Sequence, residues 1–165
     1  MQINTNWKIR PIAPNDIEVV ATIIRNGLAE FGCVGEGYAS MDPEIDDMYQ
    51  MSQQKGCAFW VLADEAEKII GCGGIAPLKG GDTDTCELQK LYFLEAARGK
   101  GYGRHFMEKC LSAAKDLGYQ KCYLETVERM AAANAMYKKL GFESLCGAMG
   151  NTGHGSCDTR YMKEL

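Results

Sequence analysis

No CxxC pair occurs in this sequence, although eight cysteines are scattered along it. Several sit inside apolar runs such as "CAFWVLA" and "KCYLETV", where a thiol serves as a small core hydrophobe. The opening "MQINTNWKIRPIAPND" has neither an apolar h-region nor a small-residue cleavage site, so no signal peptide is expected. Free thiols in a reducing cytoplasm are therefore the expectation, and a disulfide framework is not. No apolar run approaches the length of a membrane span, which excludes a spanning helix. A basic excess is missing too. The net charge is −4 with 24% charged residues, which argues against a dedicated nucleic-acid binder. Low-complexity tracts, linkers and internal repeats are also lacking. What remains, 165 residues of which 46% are hydrophobic, suits one domain over 1–165 with a substantial core.

The pattern along the chain places the elements. "WKIRPIAP" alternates around Ile9 and Ile12 and predicts a first strand. Asn15 or Asp16 then caps a helix in which Ile17, Val20, Ile24 and Leu28 recur at helical spacing, to about Glu30. A glycine-punctuated loop, "CVGEGYASMD", leads to a second helix with Pro43 in its first turn and its end at Gly56. "CAFWVLAD" and "KIIGCGGIAPLKG" predict a β-hairpin, and "CELQKLYF" a further strand. Helices follow from about Gly101 to Leu117 and over "MAAANAMYKKLG", with strands at "KCYLETV", "FESLCGAM" and "CDTRYMKEL". The order βα-α-βββ-α-β-α-ββ predicts an α/β or α+β domain and not a doubly wound sheet.

The segment "KLYFLEAARGKGYGRHFMEKCL" hands a strand over to a helix through alternating glycines. Glycine lets backbone approach a ligand closely and adopt positive φ, and the first turn of a helix offers N–H groups without internal partners. Such a turn suits a phosphate, with Arg98, Lys100 and Arg104 adding positive charge. Tight packing is the other use of such glycines. A P-loop is excluded because GxxxxGK followed by Ser or Thr is missing. The dinucleotide fingerprint GxGxxG fails as well, since Gly99-Lys100-Gly101 is followed by Tyr102-Gly103-Arg104.

Arg98-Gly99-Lys100-Gly101-Tyr102-Gly103 resembles the acyl-CoA signature Gln/Arg-x-x-Gly-x-Gly/Ala of the GNAT (Gcn5-related) N-acetyltransferases. The upstream "ELQKLYF", the downstream "YLETV…AANAMYKKLGFE" and the element order extend the resemblance over nearly the whole chain. It implies the acyl-CoA N-acyltransferase (GNAT) fold, a mixed sheet of six to seven strands flanked by about four helices. The strands near Glu87–Phe93 and Cys122–Val127 would splay apart to admit acetyl-CoA as co-substrate. The diphosphate would rest on main-chain N–H groups from Arg98 to Arg104, and the pantetheine arm would run beside Leu91, Tyr92 and Phe93 as an added strand. The apolar positions of "LQKLYF" do not alternate cleanly, as a bulge would require. A fully buried strand would give the same pattern.

Acetyl transfer from a thioester to an amine needs a base for the amine, donors for the oxyanion and an acid for the leaving thiolate. Asn134 and Tyr137 stand at i and i+3 and share one helix face. The resemblance puts Asn134 by the pantetheine arm and Tyr137 by the sulfur as the acid, where the alternative for an aromatic at helical spacing is core packing. Glu87 is the expected base, with Glu125 in "YLETV" as its rival, and an N–H near Leu91 or Tyr92 the oxyanion donor. Only two histidines occur. His154 and Cys157 form an i, i+3 pair too small for a zinc site, so no metal is expected, and a place for His154 near the acceptor pocket is preferred. His105 could face either phosphate or solvent. The acceptor, a small-molecule or peptide amine, would be gripped by "FGCVGEGYASMDPEIDDMY". Its Glu36, Asp42, Glu44, Asp46 and Asp47 favour a cation, although the helix dipole also explains acidic helix starts. The expected activity is that of a cytoplasmic acetyl-CoA-dependent N-acetyltransferase acting by direct attack in a ternary complex, without nucleic-acid or membrane partners and with a homodimer left open. The alternatives are a non-catalytic acyl-CoA-binding regulatory module and an interaction protein whose glycine turn binds nothing.

Overall fold

A computed structural model describes residues 6–165. The strands are β1 (Lys8–Pro11), β2 (Ala58–Ala63), β3 (Ile69–Pro77), β4 (Thr85–Phe93), β5 (Lys121–Thr126), β6 (Glu143–Ser144) and β7 (Thr159–Glu164). The α-helices are α1 (Ile17–Glu30), α2 (Met48–Ser52), α3 (Tyr102–Asp116) and α4 (Ala131–Lys139). They assemble a seven-stranded mixed sheet in the order β1-β2-β3-β4-β5-β7-β6. Neighbours are antiparallel except β4 and β5, which run parallel.

Strand β2 shows why the sheet needs helices on both sides. Phe59, Val61 and Ala63 join one core with Val20 and Ile24 of α1, while Trp60 and Leu62 join the other with Phe106 and Cys110 of α3. Alternate side chains of a strand face opposite sides, and here both sides are apolar. Burying such a strand requires a layer on each face, and the amphipathic stripes of α1 and α3 supply them.

Two sequence expectations need correction. The second helix does not run from Pro43 to Gly56. Pro43–Asp47 form a 3₁₀ turn, and Asp47 then starts a new α-helical segment by accepting from the Gln50 N–H at 2.9 Å. That segment ends at Ser52. The strand expected over "FESLCGAM" shrinks to Glu143–Ser144 plus a bond from Leu145 N–H to the Arg160 carbonyl at 2.9 Å. Beyond it the chain departs into the glycine-rich loop that covers the site.

Helix α1 contains Gly27, where a Cβ would come within 2.3 Å of the Tyr92 ring. An alanine in a helix interior is ordinarily worth about 1 kcal/mol over glycine. Here the sign should reverse: Gly27→Ala should lower stability by roughly 1–3 kcal/mol, because the ring stem cannot move aside freely. Urea denaturation measures this, and a stabilised variant would refute the contact.

Candidate active site

Strands β4 and β5 pair at only three positions, Thr85–Lys121, Cys86–Cys122 and Glu87–Tyr123, and then diverge. On its other edge β4 slips against β3: Cys72 faces Tyr92, yet Gly74 faces Gln89, so β4 carries one residue more than its partner. Lys90 occupies this bulge at φ +56°, a left-handed conformation that costs a non-glycine residue about 1–2 kcal/mol. The bulge expected from the broken alternation is therefore present. Beyond it Leu91 lies over Gly73 and Phe93 over Gly71, where a Cβ would come within 2.9 and 2.3 Å of them. Tyr92 turns to the opposite face, against α1. A cavity of ≈ 70 Å³ opens between the diverging strands, with Glu87, Gln89, Glu125, Tyr137 and His154 on its walls. That is room for about two water molecules.

Glu87 is 4% exposed, and burial pushes its carboxyl up to about 7 against the opposing pull of His154 and Lys90. Gln89 donates to it at 3.3 Å. Tyr137 is buried, with ring contacts to Phe142 and Tyr161, and burial drives its phenol well above its ordinary range, so it stays protonated. Asn134 donates to the carbonyls of Val127 at 3.1 Å and Glu128 at 3.3 Å, while its buried Oδ1 has no partner among the described residues. Glu125 accepts from the Thr152 hydroxyl at 2.6 Å.

The glycine turn divides by position. Among the described residues, no atom lies within 4 Å of a Cβ added at Gly99 (φ +72°) or Gly101 (φ +84°). Gly103 instead meets Met136 Sδ at 3.1 Å, so its role is packing. The N–H groups of Tyr102, Gly103 and Arg104 precede the first bond of α3, made by His105 N–H to the Gly101 carbonyl. Open glycines and bare donors fit a diphosphate. The cations fit less simply. Arg98 is held by Glu30 through two bonds of 2.6 Å, and Arg104 by Glu108 at 3.1 Å. Lys100 lies 5.9 Å from the centre of the Trp7 ring, and the Tyr102 ring packs on the same indole at 5.0 Å. Main chain, more than side chains, is thus what the turn presents. His105 pairs with Glu108 at 3.6 Å and is 46% exposed.

The acidic segment expected to attract a cation is largely occupied within the protein. Asp46 pairs with Arg25, Asp47 caps α2, and Asp42 Oδ2 meets both Lys90 Nζ at 2.5 Å and His154 Nε2 at 2.8 Å. His154 thereby reaches the cavity, its Nδ1 3.9 Å from Glu87 Oε1. Its partner in the sequence pair, Cys157, also lines the cavity, its N–H closing a turn to the His154 carbonyl and its own carbonyl accepting from Arg160 at 3.0 Å. Among the described residues no group of three His, Cys, Asp or Glu is arranged to hold a metal ion, and no helix is long and apolar enough to cross a membrane. Ser156 ties the two covering loops together, its N–H to the Gly37 carbonyl at 3.0 Å and its hydroxyl to that of Glu36 at 3.1 Å. Sequence reasoning passed over Lys90 and Gln89. A lysine amid the apolar "LQKLYF" was the available signal for the first.

Residues 28–142 match the family described as Acetyltransferase (GNAT) family. The Escherichia coli (strain K12) protein "Uncharacterized N-acetyltransferase YjgM" is 42% identical over 158 residues, covering 95% of this chain and 94% of that protein. Among solved structures, a GNAT-family acetyltransferase from Staphylococcus aureus Mu50 superposes with a TM-score of 0.83 at 19% identity, covering 96% of this chain and 99% of its own. A Sinorhizobium meliloti phosphinothricin acetyltransferase, solved in complex with AcCoA, gives 0.77 at 20% identity, with 98% and 89% covered. At such identities the structures speak to the fold alone.

Glu87 gives a pH signature with a definite sign. Between its ordinary value of 4.5 and about 7 the folded protein holds a proton that the unfolded chain has released. This protonation supports folding fully below 4.5, and the support is lost as pH rises through 7. Glu87→Gln should therefore match the parent near pH 4 and exceed it in stability by on the order of 1–3 kcal/mol near pH 8. Chemical denaturation at both pH values tests this. Parallel pH curves for the two proteins would refute the buried carboxyl.

Proposed function

Because the chain belongs to the acetyltransferase (GNAT) family, we propose that it transfers an acetyl group from acetyl-CoA to a primary amine of a small molecule or peptide, in the cytoplasm, by direct attack within a ternary complex. The observation that carries this reading is the convergence of a buried carboxylate, Glu87, and a buried phenol, Tyr137, on one cavity between the diverging strands.

Acetyl-CoA supplies the activated thioester. Main-chain N–H groups between Gly99 and Arg104 hold its diphosphate, that of Arg98 being bonded to the Glu95 carbonyl, with the left-handed backbone at Gly99 and Gly101 shaping the cradle. The edge of β4 at Leu91, Tyr92 and Phe93 pairs with the pantetheine amides, since β5 has diverged and leaves that edge free. Asn134 Oδ1 accepts from an amide of the same arm, which gives its unpaired oxygen a partner. An N–H of Leu91 or Tyr92 at the bulge receives the developing oxyanion. Glu87, poised near neutrality, removes the proton from the acceptor nitrogen, directly or through one water. Tyr137 donates its phenolic proton to the leaving sulfur. Glu125 also lines the cavity, but its carboxylate is engaged by the Thr152 hydroxyl at 2.6 Å.

Four outcomes test this reading. A turnover screen with thiol detection across small amines, amino acids and peptides should find an acceptor. Acetyl-CoA binding without thiol release would point instead to a regulatory module. With that acceptor, Tyr137→Phe should lower kcat by roughly 100-fold with acetyl-CoA affinity unchanged, and an unchanged rate would remove Tyr137 from the chemistry. kcat/KM should fall on the acid side of about pH 7, and Glu87→Gln should abolish that limb. Gly101→Glu, placing a side chain and an anion in the cradle, should weaken acetyl-CoA binding by about 10-fold or more in calorimetry. Normal binding would refute the placement.

A further inference from the structure

Four charged side chains stand in a row of alternating type beside the cavity: Lys90, Asp42, His154 and Glu87. They come from three separate segments, and the row exists only because the bulge turns Lys90 toward the loop that carries Asp42. Lys90 and His154 side chains are 3% and 9% exposed, and Asp42 17%. Burying so many charges is costly unless each faces its opposite. Here Asp42 Oδ2 serves both cations, and His154 keeps its second ring nitrogen turned to Glu87.

We propose that His154 is a positioning residue, an imidazolium fastened to Asp42 that faces Glu87 with a fixed positive charge and so keeps this base able to ionise in its buried site. This inference rests on Glu87 being the base. Its chemistry is electrostatic and moves no atom from His154 itself. Three groups act on the imidazole. Burial disfavours its charge, Asp42 on the loop favours it through hydrogen bond and charge, and Lys90 and Glu87 of β4 act in opposite directions, the net being a raised affinity for the proton. Glu87 in turn faces His154 and Lys90, which favour its anion, Gln89, which donates to it, and Glu125 of β5, which disfavours a second negative charge. A neutral His154 could still donate one, weaker, hydrogen bond to Asp42 but would leave Glu87 with less to offset its burial. The loop that bears His154 is otherwise held by Thr152, whose hydroxyl accepts from the His154 N–H at 3.1 Å, and by Ser156. His154 is therefore not the only pin on that loop, and its ionic role is separable from a purely mechanical one.

With only two histidines in the chain, nitrogen-15 histidine NMR of the intact protein reads His154 directly, with His105 as the second signal. The His154 midpoint should lie above that of an ordinary imidazole, near 6.5. A midpoint at or below the ordinary one overturns the proposal. Asp42→Asn should lower its midpoint by about one pH unit or more while the His105 signal stays put, as loss of an adjacent opposite charge requires. An unshifted His154 overturns it as well. The third measurement is the Glu87 carboxyl signal, assigned through Glu87→Gln and followed in His154→Gln. Its midpoint should rise by about one unit, and the acid limb of kcat/KM should move with it. If activity falls but neither midpoint moves, His154 is a mechanical pin and the proposal fails. If the carboxyl midpoint moves while Glu87→Gln remains fully active, the electrostatic coupling stands and Glu87 is not the base. Should Asp42→Asn not fold, the parent protein and His154→Gln still decide.

Discussion

Strand β4 cannot satisfy both of its neighbours, and the site follows from that failure. Its parallel pairing with β5 stops after Glu87, and its antiparallel pairing with β3 slips by one residue at Lys90. Main-chain donors and acceptors left inside a protein demand partners as strictly as side chains do. A sheet that withholds them from its own strands offers an extended ligand with amide groups the place a strand would have taken. The core on either face keeps the gap from closing: Phe93 packs edge-on against Phe106 at a centroid separation of 5.7 Å, and Tyr92 wedges against α1 at Gly27.

The bulge has a second effect. A lysine held in left-handed backbone, with its ammonium buried, is an unfavourable element taken alone. It becomes tolerable because Asp42 reaches it from a loop 48 residues away in sequence. The same aspartate then engages His154, 112 residues distant. One irregularity in one strand thus recruits both covering loops to the mouth of the cavity, and the strained residue sits where function gives a reason for it.

Much of this was legible in the sequence, and the reasons differ by element. Long apolar runs with clear periods, such as those of α1, α3 and β2, declare themselves because burial imposes their spacing. The glycine turn was legible because only glycine takes positive φ at Gly99 and Gly101 at little cost. The broken alternation of "LQKLYF" pointed to the bulge, since one extra residue reverses the phase of a strand. Helix α2 was overextended because a hydrophobic period cannot tell a 3₁₀ turn from an α-helix. The pairing inside the acidic loop was not legible, for a different reason. Composition counts carboxylates but does not say which already have partners, and Asp42, Asp46 and Asp47 all do. Nor can it pair Arg98 with Glu30, which are brought together only by the fold.

The segment between Glu30 and Asp42 resembles a bridge with both abutments set in stone. Arg98 grips one end, and Lys90 with His154 grips the other. Its span, loosened by Gly35 and Gly37, is lashed to the opposite loop through Ser156. The two lips of the entrance, distant in the chain, consequently form one part. Changes in the span, which brings Cys33, Tyr38 and Ala39 to the cavity wall, alter its rim while Glu87 and Tyr137 stay as they are. Grafting the entrance of one relative onto another would have to carry both lips, because either alone would arrive with half its fastenings missing.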